Sequence, residues 1–452
     1  MSSEPCPPAR PGAVRSAPPG TLGRRRTAGV ARTSTLAEAE VDLTAVAANL
    51  ATVADVAGTG LMAVVKADGF GHGAVPVARA ALAAGASWLG VTSTGEALAL
   101  RAAGLTAPVL SWLHHPDDDF GRLIAADVDL GVSTVPHLHA IADAASRSGR
   151  PATVQLKADT GLSRNGANRE DWPDLVGWAR RYEVAGSVRV RGIWSHLADA
   201  ETPDCRCVGR QVTAFEEALR IARTAGLRPD LAHLANSAAA LAAPATRYDL
   251  CRIGLALYGV DPFGGTGAGA YRLRAAMTLR STVVNVKRVA AGTGVSYGPD
   301  RVTERPTTLA LLPLGYADGL PRAAEGRAEV WLHGTRRPVV GRIAMDQCVV
   351  DAGDLPVAIG DPAVVFGPLR GTDLDDGAVD GGSDRAADAG WPTVAEWAAW
   401  ARTSPHEILT GIGARIARRY RTAGEAADRP GGSVAPVRSR RTTAGSEGEC
   451  RG

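Results

Sequence analysis

The feature that most constrains this chain is a repeat of short apolar runs separated by alanine-rich stretches. The runs are LMAVVK (61–66), WLGVTS (88–93), APVLSWL (107–113), DLGVS (129–133), TVQLKAD (153–159), VRGIWSHL (190–197), LAHLANS (231–237) and DLCRIGLALYG (249–259). Between them, segments such as VPVARAALAAG and QVTAFEEALRIARTAG set apolar residues at helical spacing on strong helix formers. Eight strands alternating with helices over about 200 residues point to an α/β fold, a (β/α)8 TIM barrel, with a doubly wound open sheet as the alternative. The strand count favours the barrel, placed at 36–261 with residues 36–60 packing beside it. From 262 to 422 the texture changes. RLRAAMTLRSTVVNVKRV, TTLALLPLG, AEVWLHG, RRPVVGRIAMDQCVVD and DPAVVFG are β-rich, and no long helix is expected before WPTVAEWAAWART. A second, mainly antiparallel β domain is expected there.

Composition narrows the partners. With 45% hydrophobic residues in 452, the chain can bury a sizeable core. A formal net charge of +3 suggests neither nucleic acid nor an acidic membrane surface. No apolar run reaches the roughly 20 residues of a membrane span, and the Pro/Arg-rich start has no hydrophobic segment of a signal peptide, so a cytoplasmic location is expected. Six cysteines are too sparse for a disulfide scaffold and read as reduced thiols. Residues 1–35 and 423–452 read as disordered tails, and 371–390 as a solvated acidic, Gly-rich loop. That loop lacks the spacing and glutamate of an EF-hand, and no metal is expected there.

In a barrel the chemistry gathers where the C-terminal ends of the strands converge. The polar residues at those ends are Lys66, Trp112, Lys157 with Asp159, His196, Asn236 with Ser237, and Arg252 followed by Gly254. Cations and hydrogen-bond donors dominate, and no carboxylate cluster for magnesium is among them. A phosphate suits such a set. Its expected seat lies after strands seven and eight, where Ser237, Gly254 and Leu255 offer a hydroxyl and backbone N–H groups.

A lysine buried at a strand end loses solvation, its pKa falls, and its amine becomes able to form a Schiff base with an aldehyde. Lys66 is that candidate; the plain alternative is an ammonium that escapes to the barrel rim. Gly69, Gly71 and Gly73 after it let the backbone bend closely around a ligand. His72 reads as a polar residue at a helix start, without a chemical role.

The run VVKADGFGHG (64–73) resembles the pyridoxal-phosphate attachment site of alanine racemases. The likeness continues in order through KADTGLSRNG (157–166), IWSHLA (193–198), HLANS (233–237), RIGLALYG (252–259), GVSYG (294–298), LGYADG (314–319) and GRIAMDQ (341–347). It covers roughly residues 36 to 420. The resemblance implies pyridoxal 5′-phosphate held on Lys66, which also serves as the base for the D enantiomer. Tyr297 would be the opposite base, for the L enantiomer, contributed in trans within a head-to-tail homodimer. Two bases on opposite faces suit a proton that leaves one side of Cα and returns on the other. Arg252 would donate to the pyridine nitrogen, with a rim salt bridge as its plain alternative. Arg164 would touch the cofactor's phenolic oxygen and the substrate carboxylate. Lys157 matches a lysine carbamylated in many members. His196 would pack on the ring and orient Arg252, or be an ordinary core histidine. Tyr316 and the backbone amide of Met345 would contact the substrate from the partner's β domain, with Asp346 supporting that loop.

Phe70 and His406 stand where the family has tyrosines that donate to the phosphate, so weaker cofactor binding is expected. Asp68 and Gly69 replace asparagine and alanine with no functional consequence apparent in the sequence. The resemblance implies interconversion of L- and D-alanine, supplying D-alanine for peptidoglycan. A broad-specificity or serine-type racemase of the same fold is the alternative, and a degenerate cofactor-binding protein the third reading.

Overall fold

Strand β1 (Ala37–Asp42) is followed by β2 (Gly60–Val64), β3 (Trp88–Val91), β4 (Val109–Ser111), β5 (Asp129–Val132), β6 (Ala152–Lys157), β7 (Val188–Trp194), β8 (Leu231–His233) and β9 (Leu250–Ile253). The computed structural model describes residues 36–202, 206–264, 271–298, 301–368 and 390–422. All eight expected barrel strands are present as β2 to β9. They pair in parallel from β8 through β7, β6, β5, β4, β3 and β2 to β9. The seam between β8 and β9 is held by the Asp249 N–H donating to the Ala232 carbonyl (3.1 Å) and the Arg252 N–H to the Ala235 carbonyl (3.0 Å). The barrel is thus nearly closed. Residues facing the helices, among them Leu61, Ala63, Leu89, Val91, Val109 and Leu130, join one large core. Met62, Trp88, Leu110 and Leu250 form a small separate cluster on the inner face. Period-two alternation along each strand produces the division.

The second domain is a nine-stranded sheet built from β1 and from β10 (Met277–Thr282), β11 (Asn285–Val289), β14 (Thr307–Leu312), β15 (Glu329–Leu332), β16 (Thr335–Val340), β17 (Cys348–Gly353), β18 (Pro362–Phe366) and β19 (Ala417–Arg421). The short pair β12 (Gly294–Val295) and β13 (Arg301–Val302) stands apart. Its ladders are antiparallel except β1 with β19, in keeping with the expected β domain. Helix Val394–Ala401 arises within WPTVAEWAAWART, started by a capping box of Thr393 and Glu396.

One boundary needs correction. Residues 37–42 do not pack beside the barrel but form β1 in the other domain's sheet. The segment AEAEVD alternates, burying Ala39 and Val41 in the second core while Glu40 pairs with Arg421 (3.3 Å) and Arg280 (3.8 Å). The chain then enters helix Leu43–Ala57, whose first turn is capped by Asp42 accepting from the Thr44 and Ala45 N–H groups (2.9 and 3.2 Å). Buried Asn49 on that helix donates to the carbonyls of Leu257 (3.1 Å) and Arg274 (2.8 Å) and accepts from the Arg274 N–H (2.7 Å). One side chain therefore fixes the helix to the segment that leaves the barrel.

The expected tails, and all of the acidic loop except Gly390, lie outside the described residues. Among the described residues no helix is long and apolar enough to cross a membrane, and no group of three or more His, Cys, Asp or Glu could hold a metal. Cys251 and Cys348 are free and buried, whereas Cys207 is disulfide-bonded, against the expectation of reduced thiols throughout.

Gly73 holds the two domains close to one another. Its φ is +96°, and an added Cβ would collide with the Tyr420 hydroxyl on β19. Gly73→Ala is expected to cost more than about 2 kcal/mol, read from urea midpoints. Gly58→Ala, at φ +64° with open space around it, should cost no more than about 1 kcal/mol.

Candidate active site

Lys66 ends the β2 run and opens a turn of unusual backbone. Ala67, Asp68, Gly69 and Phe70 have φ of 50°, 51°, 61° and 53°, a left-handed turn that costs roughly 1–2 kcal/mol for each non-glycine residue. Several contacts hold it. Glu96, already the N3 residue of a capping box, accepts from the Ala67 N–H (2.7 Å) and the Thr92 N–H (2.8 Å). Asp68 accepts from the Ala74 N–H (2.9 Å), starting the next helix. Arg418 of β19 donates from Nε to the Gly71 carbonyl (2.9 Å). The Lys66 ammonium lies 6.0 Å from the centre of the Trp112 ring. Its pKa is lowered, first by burial and then by the charge of Arg164, with Glu96 opposing.

Arg252 is buried, with no carboxylate partner among the described residues. Its Nη1 donates to the His233 carbonyl (3.1 Å) and Nδ1 (2.9 Å). Its Nη2 donates to the carbonyls of Ser195 (2.7 Å) and Leu234 (2.9 Å) and lies 3.3 Å from His196 Nδ1. The rim salt bridge is therefore excluded, and the two terminal nitrogens are fully engaged. Burial lowers the guanidinium pKa to about 10, so the charge persists at neutral pH. His196 is driven down to about 3 by burial and then by Arg252, and it meets Arg252 as a neutral acceptor. His233 is also lowered well below its ordinary value by burial and by Arg252. It stacks on Trp194 with ring centres 5.6 Å apart. Sequence reasoning missed His233 as a functional residue, although it heads the HLANS motif.

Lys157, at the end of β6, lies over Trp194 at 4.5 Å. Its pKa falls to about 8, through burial first and then the charges of Arg252 and Arg164, with Asp159 opposing. Arg164 rides a loop shaped by Asp159, which accepts from the N–H groups of Gly161, Leu162 and Ser163 (2.9, 3.1 and 3.1 Å). The loop closes where the Ala167 N–H donates to the Lys157 carbonyl (2.9 Å). Arg164 is exposed, yet its charge acts on Lys66, Lys157 and His196 alike, so the structure brings these expected residues together.

At the expected phosphate seat, Ser237 Oγ accepts from the N–H groups of Gly254 (3.0 Å) and Ala256 (3.3 Å). Its hydroxyl proton is left to donate outward, while the Gly254 N–H is already committed. Asn236 caps helix Ser237–Ala242. Phe70 lies against this seat, since a Cβ on Gly254 would be 3.2 Å from its Cζ. The Phe70 ring stacks on Tyr258 (4.6 Å), whose hydroxyl donates to the Val64 carbonyl (2.9 Å), and sits 5.7 Å from the His406 ring. His406 is lowered by burial and by Lys66. His72 is buried against Tyr258 with Nδ1 2.9 Å from the Phe70 carbonyl, a packing role in line with the plain reading.

The remaining candidates lie on the β domain and are exposed: Tyr297 by 69%, Met345 by 53% and Tyr316 by 45%. Ser296 Oγ donates to the Arg342 carbonyl (2.7 Å), and the Tyr316 and Ala317 N–H groups donate to the carbonyls of Ala344 (3.0 Å) and Met345 (2.9 Å). These bonds gather the three side chains on one region. Arg415 binds Asp346 (2.7 Å) and Asp318 (3.2 Å), tying the Met345 loop to the Tyr316 turn.

Residues 41–262 match the family model for the alanine racemase N-terminal domain, and 276–420 the model for its C-terminal domain. The chain is 46% identical over 388 residues to the alanine racemase of Thermobifida fusca, covering 86% of this chain and 98% of that one. Among solved structures, the alanine racemase from D-cycloserine-producing Streptomyces lavendulae has a TM-score of 0.81 at 44% identity, covering 88% of this chain and 100% of its own. The alanine racemase from Bartonella henselae with covalently bound pyridoxal phosphate has a TM-score of 0.72 at 28% identity, covering 85% and 99%.

Because the folded-state pKa of Lys157 lies below its unfolded value, the unfolded chain binds more protons between about pH 8 and 10.5, and stability from this group rises with pH across that window. Below it, burying the ammonium is destabilising. In carbon-dioxide-free buffer, Lys157→Met is expected to be more stable than wild type at pH 7, with the difference shrinking towards pH 10. Urea unfolding across that range checks it.

Proposed function

This chain belongs to the alanine racemase family, pyridoxal-phosphate-dependent isomerases, and from that premise we propose that it interconverts L- and D-alanine in the cytoplasm, with pyridoxal 5′-phosphate held on Lys66. The observation that carries this reading is a half-buried lysine at the end of a barrel strand, 6.0 Å from the Trp112 ring and with its pKa lowered by burial and by Arg164, at the same mouth as an Arg252 lined by neutral imidazoles. The residues present suit the cofactor. Lys66 offers a primary amine that would attach an aldehyde, cations outnumber carboxylates for an anionic ligand, and Ser237 with the Leu255 N–H would donate to a phosphate.

When bound, the cofactor's ring withdraws electrons from an attached amino acid, so that its Cα–H becomes acidic. The protein's residues do the rest. Lys66 Nζ, with its depressed pKa, is neutral more often than an exposed lysine, which suits both attachment and taking or returning a proton on one face of Cα. The Tyr297 phenol serves the other face. Arg252 keeps its proton at neutral pH and would hold the ring nitrogen by donating to it without protonating it, which would moderate electron withdrawal and restrain side reactions. Arg164 holds the substrate carboxylate, for which a planar guanidinium is suited. Lys157 would add carbon dioxide through its neutral amine and lose a proton to give a carbamate whose negative charge would position Arg164; an amine with a pKa of about 8 has the neutral form that this addition needs.

Tyr297, Tyr316 and Met345 act in trans. Their exposure together on the β domain supports a homodimer in which each copy's phenol reaches the other's Lys66, Met345 through its backbone amide. The product would supply D-alanine to peptidoglycan synthesis.

Hydride reduction of the loaded protein followed by peptide mass spectrometry should place the cofactor tag on Lys66; a tag elsewhere would refute the assignment. The dimer is tested by mixing two inactive variants, Lys66→Ala and Tyr297→Phe, after dissociation. If the tyrosine acts in trans, half of the mixed population carries one complete site per dimer and activity returns to about a quarter of wild type. If it acts in cis, none returns.

A further inference from the structure

A buried polar chain leaves Arg252 in the direction away from the mouth, and the mechanism above does not use it. Arg252 Nη1 donates to His233 Nδ1 (2.9 Å). An arginine has no acceptor, so Nδ1 must present its lone pair and the imidazole proton must sit on Nε2. That proton is donated to Gln155 Oε1 (2.7 Å). The amide orientation is then set: Gln155 Nε2 donates to Asp129 Oδ2 (2.8 Å), and Asp129 Oδ1 accepts from Arg191 Nη1 (2.8 Å). Gln155 and His233 are fully buried and Asp129 nearly so. The links come from β9, β8, β6, β5 and β7.

We propose that Asp129 and Gln155 are positioning residues for Arg252, acting through His233: by fixing an acceptor at Nε2 they hold the imidazole in the one tautomer and place that can accept from Arg252. Donation runs in one sense from Arg252 to Asp129 because the chain starts at a guanidinium, which only donates, and ends at a carboxylate, which only accepts and takes a further bond from Arg191. Reversing the Gln155 amide would need a donor at Asp129 and would turn an N–H of Gln155 towards His233 Nε2. The imidazole proton would then move to Nδ1 and face the donors of Arg252. Asp129 is ionised at neutral pH, with burial raising its pKa to about 6 against the pull of Arg191 and Gln155. A separate observation marks Gln155 as accommodated. A Cβ on Gly192 of β7 would lie 2.8 Å from Gln155 Oε1 and 3.1 Å from its Cδ, so only a glycine there leaves the oxygen its place. With both terminal nitrogens of Arg252 held, its Nε–H, which no described residue accepts, keeps a fixed direction.

This inference rests on the reading that Arg252 donates to the ring nitrogen of pyridoxal phosphate. The test measures that bond by binding alone. Apoprotein is titrated with pyridoxal phosphate and with its 1-deaza analogue, in which a CH replaces the ring nitrogen, and the ratio of the two dissociation constants is taken. Wild type should bind the analogue about 10-fold or more weakly, the expected value of a hydrogen bond to a charged group. In Asp129→Asn and Gln155→Met the ratio should fall at least about 5-fold towards one, with Lys66 still forming its adduct. Gly192→Ala, which keeps every member of the chain but displaces the Gln155 oxygen, should move the ratio the same way. Unchanged ratios in the variants, accompanied only by lower melting temperatures, would show a structural role and overturn the proposal. A wild-type ratio near one would instead remove the reading of Arg252, and this inference with it.

Discussion

An arginine buried without a carboxylate partner among the described residues organises the mouth of this barrel. Desolvating a guanidinium is costly unless its donors are satisfied. Arg252 meets that demand with the carbonyls of Ser195, His233 and Leu234 and two neutral imidazoles. None of these acceptors cancels its charge. The excess is felt nearby: Arg252 and Arg164 both lower Lys157, and Arg164 lowers Lys66. A site that holds unneutralised cations favours an anionic occupant, and the same repulsion moves its lysines towards the amine form. Burial is the larger cause for both lysines, and the cations that favour an anionic ligand add to it.

The strain at Lys66 is held from both domains. Left-handed backbone at Ala67, Asp68 and Phe70 persists only where the surroundings over-determine it. Glu96 fixes the turn from the first turn of the helix that follows β3, Thr94–Ala102. Arg418 fixes it from β19, with further donations to the carbonyls of Ile412, Gly413 and Ile416. The β domain thus shapes the lysine turn of its own chain, apart from anything it lends to a partner. With β1 in that domain's sheet and the following helix pinned by Asn49 to the exit from the barrel, the two domains are stitched at both ends of the barrel sequence.

The barrel was legible because parallel strands buried on both faces appear as short apolar runs, and each of the eight runs corresponds to one strand. The misplacement of residues 37–42 had a signal that was passed over: AEAEVD alternates, as a strand with one solvated face does, unlike the continuous runs of β2 to β9. Lys66, Lys157 and Arg252 were legible from their position at strand ends, whereas Arg164, on a loop, was named from the resemblance. The roles of Tyr297, Tyr316 and Met345 rest on resemblance alone, for no spacing relates a β-domain tyrosine to a barrel lysine 231 positions earlier. The His233, Gln155 and Asp129 chain was invisible for a different reason. Its members are single inward-facing residues on separate strands, and nothing local distinguishes them from solvated polar residues until the barrel closes.

Three inner-face glycines complete the physical account of that interior. A Cβ on Gly90 would meet Met62 and Trp112 at 2.8 Å, one on Gly131 would meet Trp112 at 2.8 Å, and one on Gly192 would meet Gln155 at the same distance. Gly90 and Gly131 pair in register with Leu110 and Gln155 on adjacent strands, so the lost volume is taken up by neighbours on the same face. Glycine weakens a strand interior, and three such positions are tolerated because larger side chains fill the room they leave. Two of them admit the indole that lies beside Lys66, and the third admits the amide that faces His233. The geometry at the mouth is therefore set partly by residues that have no side chain, and their importance can be seen only in what occupies the space beside them.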